Sequence, residues 1–292
     1  MEKVQAAPVH THIENAMNAT RIRIILLCLA VFLFTWPQGG VAATDTMTAR
    51  TVMEQVDARN DGDRSIADMT MLLIDKQGRQ RSRSIRSFSL DKGKDIHTLM
   101  FFLTPADVAG TGFLTLDYDQ ADRDDDQWLY LPALKKTKRI ATSDRSGSFM
   151  GSDFTYADMT RRRLDDYTYS FNKEQGEATV YGQKTWVIDS TPRTPRVIEE
   201  TGYARSTLFV RQDNFMVVRA IHFVEDGGDL KYFDVKKMEQ VDGIWTSLEM
   251  HMTRKKGGST IHQTVLTLDT VRYNQEAVND DLFTIRTLEK GL

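Results

Sequence analysis

IWTSLEMHMTRKKGGSTIHQTVLTLDTVRY, residues Ile244–Tyr273, is the stretch on which the fold turns. Ile244, Leu248, Met250 and Met252 fall on one side of an extended chain, and Glu249, His251 and Thr253 on the other. Successive strand residues point to opposite faces, so this alternation describes a strand with one buried face and one wet face. RKKGGS is a turn, and TIHQTVLTLDTVRY returns as the partner strand.

The same two-residue period extends in both directions. DMTMLLI (Asp68–Ile74) meets the turn DKQG and returns as RSRSIRSFSL (Arg81–Leu90). HTLMFFLTP (His97–Pro105) is apolar on both faces, which places it centrally in a sheet. GFLTLDY (Gly112–Tyr118) and QWLYLP (Gln127–Pro132) flank the acidic turn DQADRDDD, and the short basic KTKRIA (Lys136–Ala141) follows. Further on come YTYSF, ATVYG, KTWVIDS, the pair STLFV and FMVVRAIHFV around RQDN, and DLKYFDVKKM. PRTPR (Pro192–Arg196) reads as an inter-strand loop.

Only TDTMTARTVMEQVDARNDG, at Thr44–Gly62, has helical spacing. Ala49, Val52, Met53 and Val56 share a face behind a Thr46 or Thr48 cap. About a dozen strands joined by hairpin turns, with one N-terminal helix, predict a mainly β (α+β) fold with a large antiparallel sheet. So many twisted strands curl toward a barrel or half-barrel, with a helix or long loop capping the concave side.

The chain opens with Arg21 and Arg23 ahead of IILLCLAVFLFTW (Ile24–Trp36) and the small-residue exit Val41–Ala43. This is the pattern of a secretory signal peptide, residues 1–43, cut after Ala43. The apolar run is short of the roughly 20 residues that span a bilayer, so a retained anchor is the lesser reading. Met17 is an alternative start. Cys28, the only cysteine, falls inside the leader, and Leu27 before it does not fit a lipidation site. The mature chain, 44–292, is then one cysteine-free domain in an oxidising compartment, with no disulfides. Loss of Lys3, Arg21, Arg23, Glu2 and Glu14 takes the formal charge from −3 to −4. Mild, dispersed negative charge argues against nucleic-acid binding.

Motifs for catalysis are missing. There is no G-x-S-x-G elbow, no phosphate-binding G-x-x-x-x-G-K and no H-E-x-x-H. Of the four mature histidines, His97, His222, His251 and His262, the last two face each other if the RKKGGS turn has four loop residues; two ligands are too few for a usual metal site. DRDDDQ (Asp122–Gln127) lacks the glycine and the twelfth-position glutamate of a calcium loop. No cofactor is implied. Eleven mature methionines suit an adaptable apolar lining as well as an ordinary core.

SGSFMGSDFTYADM (Ser146–Met159) joins two glycines to Phe149, Met150, Phe154, Tyr156 and Met159, too apolar for a solvated loop. Lys135, Lys136, Lys138 and Arg139 precede it, and Arg161, Arg162 and Arg163 follow. These basic runs are either solvated charge or a docking surface for an acidic partner or anionic head groups. The apolar segment is expected to pack across the mouth of the half-barrel. Asp153 and Asp158 would tie its backbone or the nearby arginines.

The span Asp126–Met159 resembles the signature region of the outer-membrane lipoprotein-sorting protein family. These are LolA-like periplasmic proteins, often found beside RND-class exporters. The matching residues are Trp128–Pro132, the basic run to Arg139, then Ser148, Phe149, Gly151–Phe154, Tyr156, Asp158 and Met159. The resemblance implies a curved half-barrel whose concave face shelters acyl chains. It implies a non-enzymatic carrier or chaperone for lipoproteins or free lipids, working with an envelope exporter. Trp128, Tyr130, Phe149, Met150, Phe154, Tyr156 and Met159 would then form its lid and lining. The other reading is an adaptor of an RND-type transporter or envelope complex, with no cargo of its own.

Overall fold

The computed structural model describes residues 47–120, 123–225 and 228–292; the expected leader and its cut after Ala43 lie outside them. Fourteen strands form one open antiparallel sheet. β1 (Arg64–Asp75), β2 (Gln80–Lys92), β3 (Asp95–Thr104), β4 (Gly112–Asp117), β5 (Asp126–Leu131) and β6 (Lys136–Arg139) step from the middle of the sheet to one edge. β7 (Tyr167–Phe171) forms the opposite edge, where β8 (Glu177–Val180) also pairs with β9 (Gln183–Pro192). β10 (Tyr203–Arg211), β11 (Val217–Val224), β12 (Leu230–Val241), β13 (Ile244–Lys256) and β14 (Ser259–Tyr273) lead back to the middle, where β14 pairs with β1. Most pairings join neighbours in sequence, and such short loops are cheap to close.

β6 and β7 lie at opposite edges, so the chain between them, residues 140–166, has to cross the sheet. It crosses one face, here called inner. Phe149 and Phe154 bury themselves there on Met69, Met71, Ile85, Phe102, Phe113 and Leu129. The other face of β2–β5 presents Leu90, Leu99, Phe101 and Leu114, which Val278, Phe283 and Leu288 of the C-terminal segment cover. HTLMFFLTP is apolar on both faces for this reason: Met100 and Phe102 pack inward, Leu99 and Phe101 outward.

Among the described residues three α-helices accompany the sheet, where the sequence suggests one. α1 (Ala49–Asp57) is capped by Thr48, whose hydroxyl accepts from the Thr51 N–H while Thr51 returns the favour to the Thr48 N–H. It lays Ala49, Val52 and Met53 on Ile188, Leu208, Val210 and Ala220. PRTPR is not wholly loop: Thr194 caps α2 (Pro195–Thr201), with Pro195 in its first turn and Gly202 at φ 75° ending it. α3 (Ile285–Lys290) rests Leu288 on β4.

Ion pairs hold the curl. Arg161 reaches Asp119 beyond β4 at 3.1 Å and Asp57 of α1 at 3.6 Å. Buried Arg145 joins Glu200 of α2 to the Asp125 carbonyl before β5, and Arg196 pairs with Asp124. These bridges tie the β5 half to the β10 half, giving a half-barrel closed by side chains where strands do not meet.

Candidate functional site

The crossing segment is shaped by a turn at Met150 (φ 51°) and Gly151 (φ 76°), with the Met150 carbonyl held by Arg83. Glycine takes such angles freely; Met150 needs the surrounding contacts to hold it. Phe149, 1% exposed, sits among the rings of Phe113 (5.0 Å), Tyr156 (5.5 Å, edge-on) and Phe102 (6.1 Å). Aromatic pairs at these separations favour tilted and edge contacts. Buried Gln127 donates to the Tyr156 carbonyl at 2.9 Å.

Two aspartates fasten the segment. Asp153, buried, accepts from Thr264 at 2.8 Å and pairs with His262 Nδ1 at 2.6 Å. Asp158 accepts from the Thr155 N–H at 2.8 Å and the Tyr203 hydroxyl at 2.7 Å, and faces Arg162 at 3.5 Å. Both meet a polar rung that strand register assembles. Ser190, Ser206, His222, Lys231, Arg254, His262 and Asp75 are successive cross-strand neighbours from β9 to β1. Within it His222 stacks on Tyr203 (4.5 Å, 14°) and its Nδ1 lies 2.8 Å from Ser206 Oγ. Lys231 stands 3.5 Å from the Tyr203 hydroxyl, and Arg254 pairs with buried Asp229 at 2.7 Å.

Burial, then the positive charge of Arg162, pushes His222 down to about 3, against the pull of Asp158, so its ring is neutral at ordinary pH. Burial works against the Asp158 charge as well, yet Arg162, Lys231 and the Thr155 N–H outweigh it and hold that carboxyl below its usual range. At the seam, burial and then Asp125 drive Asp117 up to about 7; Asp117 accepts from the Arg161 N–H at 2.5 Å.

Beside the rung, between α1, the end of the crossing segment and β9–β13, lies a cavity of about 350 Å3. Its wall is Met53, Val56, Phe154, Leu164, Leu208, Val217, Ala220, Phe233 and Met252. His222, Ser190, Asp158 and Arg162 form one polar end, and Asp57, Arg59, Asp61 and Arg161 the exposed mouth.

Of the residues singled out in the sequence, Phe154 lines this cavity. Phe149, Met150, Tyr156 and Met159 pack in the neighbouring filled half of the inner face. Trp128 and Tyr130 are on the outer face, against the C-terminal segment, and so line no part of the cavity. Arg139 pairs with Asp126 at 2.6 Å and Lys138 with Asp144 at 3.4 Å on the edge strand, where Lys135 and Lys136 are exposed. Arg161, Arg162 and Arg163 each face an aspartate, Asp166 in the last case at 3.0 Å, so this run is internal scaffolding more than free surface. His251 and His262 are not partners. The turn has two loop residues, Gly257 and Gly258, with Lys256 opposite Ser259, and a bulge after Arg254 then sets Arg254 opposite His262 and Val265 opposite His251. Among the described residues no group of three His, Cys, Asp or Glu is placed to hold a metal ion.

Arg59, His222, Leu208, Ala220 and Phe233 were not singled out in the sequence as lining residues. Arg59 follows α1, and the others come from β10, β11 and β12, which the strand register brings side by side.

A family profile described only as "uncharacterized protein" matches residues 94–290. No protein of curated function matches in sequence. A domain from Vibrio parahaemolyticus, described as a candidate outer membrane lipoprotein-sorting protein, is 28% identical with a TM-score of 0.73, covering 82% of this chain and 98% of its own. A LolA superfamily protein from Nitrosomonas europaea, 17% identical, shares the fold at a TM-score of 0.62, over 82% of this chain and 99% of that one. A DUF1329 family protein from Desulfovibrio piger is 30% identical with a TM-score of 0.73, over 82% of this chain and 97% of that one. With that identity sustained over nearly the whole of its relative, and with the half-barrel they share, this chain belongs to the DUF1329 family, of LolA-like fold.

Proposed function

We propose that the protein is a non-enzymatic periplasmic carrier or chaperone that shelters acyl chains of lipoproteins or other lipids inside the half-barrel. In this reading residues 1–43 are the export leader and 44–292 the working domain. The observation that carries it is the cavity of about 350 Å3 with its wall of leucine, valine, methionine and phenylalanine. Ligand pockets of this kind run from roughly 300 to 1,000 Å3. The likeness to a domain described as lipoprotein-sorting supports the same class. Among the described residues no helix is long and apolar enough to cross a membrane. An RND-type exporter is the proposed partner, and the exposed Lys135 and Lys136 on the β6 edge are the proposed contact for it or for head groups.

A second reading has its own support: the crossing segment already fills half of the inner face with the protein's own side chains. An adaptor without cargo needs no more than that. Uptake of an acyl-chain fluorophore separates the two. The carrier reading expects saturable uptake, abolished by Val217→Phe, which fills the cavity from a half-buried position on its wall. Absence of uptake by the folded wild type would favour the adaptor.

A further inference from the structure

Among the described residues, Arg59 is the arginine lining the cavity that no carboxylate pairs with. Arg161 has Asp57 and Asp119, and Arg162 has Asp158. Arg59 makes a single long hydrogen bond, from Nη1 to the Trp245 carbonyl at 3.4 Å, and its buried Nε has no partner. Its half-buried position lowers its affinity for a proton, with Asp61 offsetting part of the effect; no hydrogen bond links the two. A guanidinium carries five donors and stays charged, so donors left unmet at the edge of an apolar cavity are a receptor for an oxyanion.

The cavity also limits what hangs from that oxyanion. About 150 Å3 of apolar space takes a benzene ring, so about 350 Å3 takes on the order of fourteen carbon atoms. That is one acyl chain. Two or three chains require two or three times the room.

Resting on the carrier reading above, we propose that the site binds a single-chain amphiphile with an anionic end, its chain against Leu208, Ala220, Phe233 and Met252 and its carboxylate or phosphate on Arg59. Asp57 and Asp61 share the mouth. Asp57 is engaged by Arg161, which leaves Asp61 as the carboxylate an incoming anion meets. Asp61 therefore weakens anions and not neutral ligands.

The test is titration calorimetry of the mature protein at pH 7.5 with laurate, lauryl phosphate, dodecanol and a diacyl phosphatidylglycerol. The expected result is that laurate or lauryl phosphate binds at least about tenfold more tightly than dodecanol, the scale of one charge-assisted hydrogen bond. Which of the two anions binds more tightly tells a fatty-acid end from a phosphate end. Arg59→Gln erases that gap and leaves dodecanol unchanged, and Asp61→Asn widens it. Equal binding of laurate and dodecanol to wild type, or no change in the gap in both variants, overturns the inference and leaves the carrier reading standing. Binding of the diacyl lipid alone also overturns it while supporting the carrier. If none of the four binds, both fall.

Discussion

Two buried residues give this protein opposed responses to pH. Asp117 keeps its proton in the folded state up to about pH 7 but releases it near 3.8 when unfolded. Its contribution to stability is therefore full below 3.8 and is lost as pH rises through 7. His222 takes a proton near 6.5 when unfolded and refuses it until about 3 when folded. Its contribution is full above 6.5 and is lost as pH falls toward 3. Between pH 4 and 6.5 the two slopes oppose each other. In urea titrations Asp117→Asn, which keeps an acceptor for the Arg161 N–H, is expected to become more stable relative to wild type as pH rises across that window. His222→Gln is expected to gain over wild type as pH falls. Differences that do not change with pH would show that neither group is held as described. Neither behaviour was legible from the sequence. Asp117 sits in an ordinary GFLTLDY strand, and His222 alternates among apolar neighbours; the first finds its partner in the crossing segment, the second in Ser206 and Tyr203 of β10.

At the scale of elements, period-two alternation gave the strands their positions and most of their partners. It also separated inside from outside along each strand, but could not name which was which. QWLYLP shows the limit. Trp128 and Tyr130 share a face, and that face packs on Val278, Phe283 and Leu288, residues some 150 positions later. α3, which supplies Leu288, was too short to announce itself by helical spacing. Its seat depends on Gly112. A Cβ there would stand 2.6 Å from Leu288 Cδ1, 3.1 Å from the Phe101 ring and 3.3 Å from the Leu288 carbonyl. Gly112→Val is expected to dislodge α3 and raise amide exchange across residues 278–290, while exchange in β9–β13 stays as in wild type. Unchanged protection of α3 would mean that it does not depend on this contact. The crossing segment was legible as ordered and apolar, and its aspartates as ties. The rung that receives them was not, because it takes one residue from each of seven strands.

For the molecule as a whole, connectivity explains the division of the inner face. The chain leaves the sheet at one edge and must re-enter at the other, so one long segment lies across the inner face. Where it carries Phe149 and Tyr156 it fills the β1–β5 half as core; Phe154 and its end, from Asp158 to Leu164, border a cavity beside α1. A protein that only needed to be stable would have no use for that remaining space, since cores pack to the density of organic crystals. The central claim is that this space holds an acyl chain. Native mass spectrometry with lipid extraction, on the protein isolated without detergent from the cells that make it, tests it most directly. The expected result is one acyl-bearing molecule per protein chain. An empty protein that also takes up no acyl-chain fluorophore would contradict the account and leave the adaptor reading in its place.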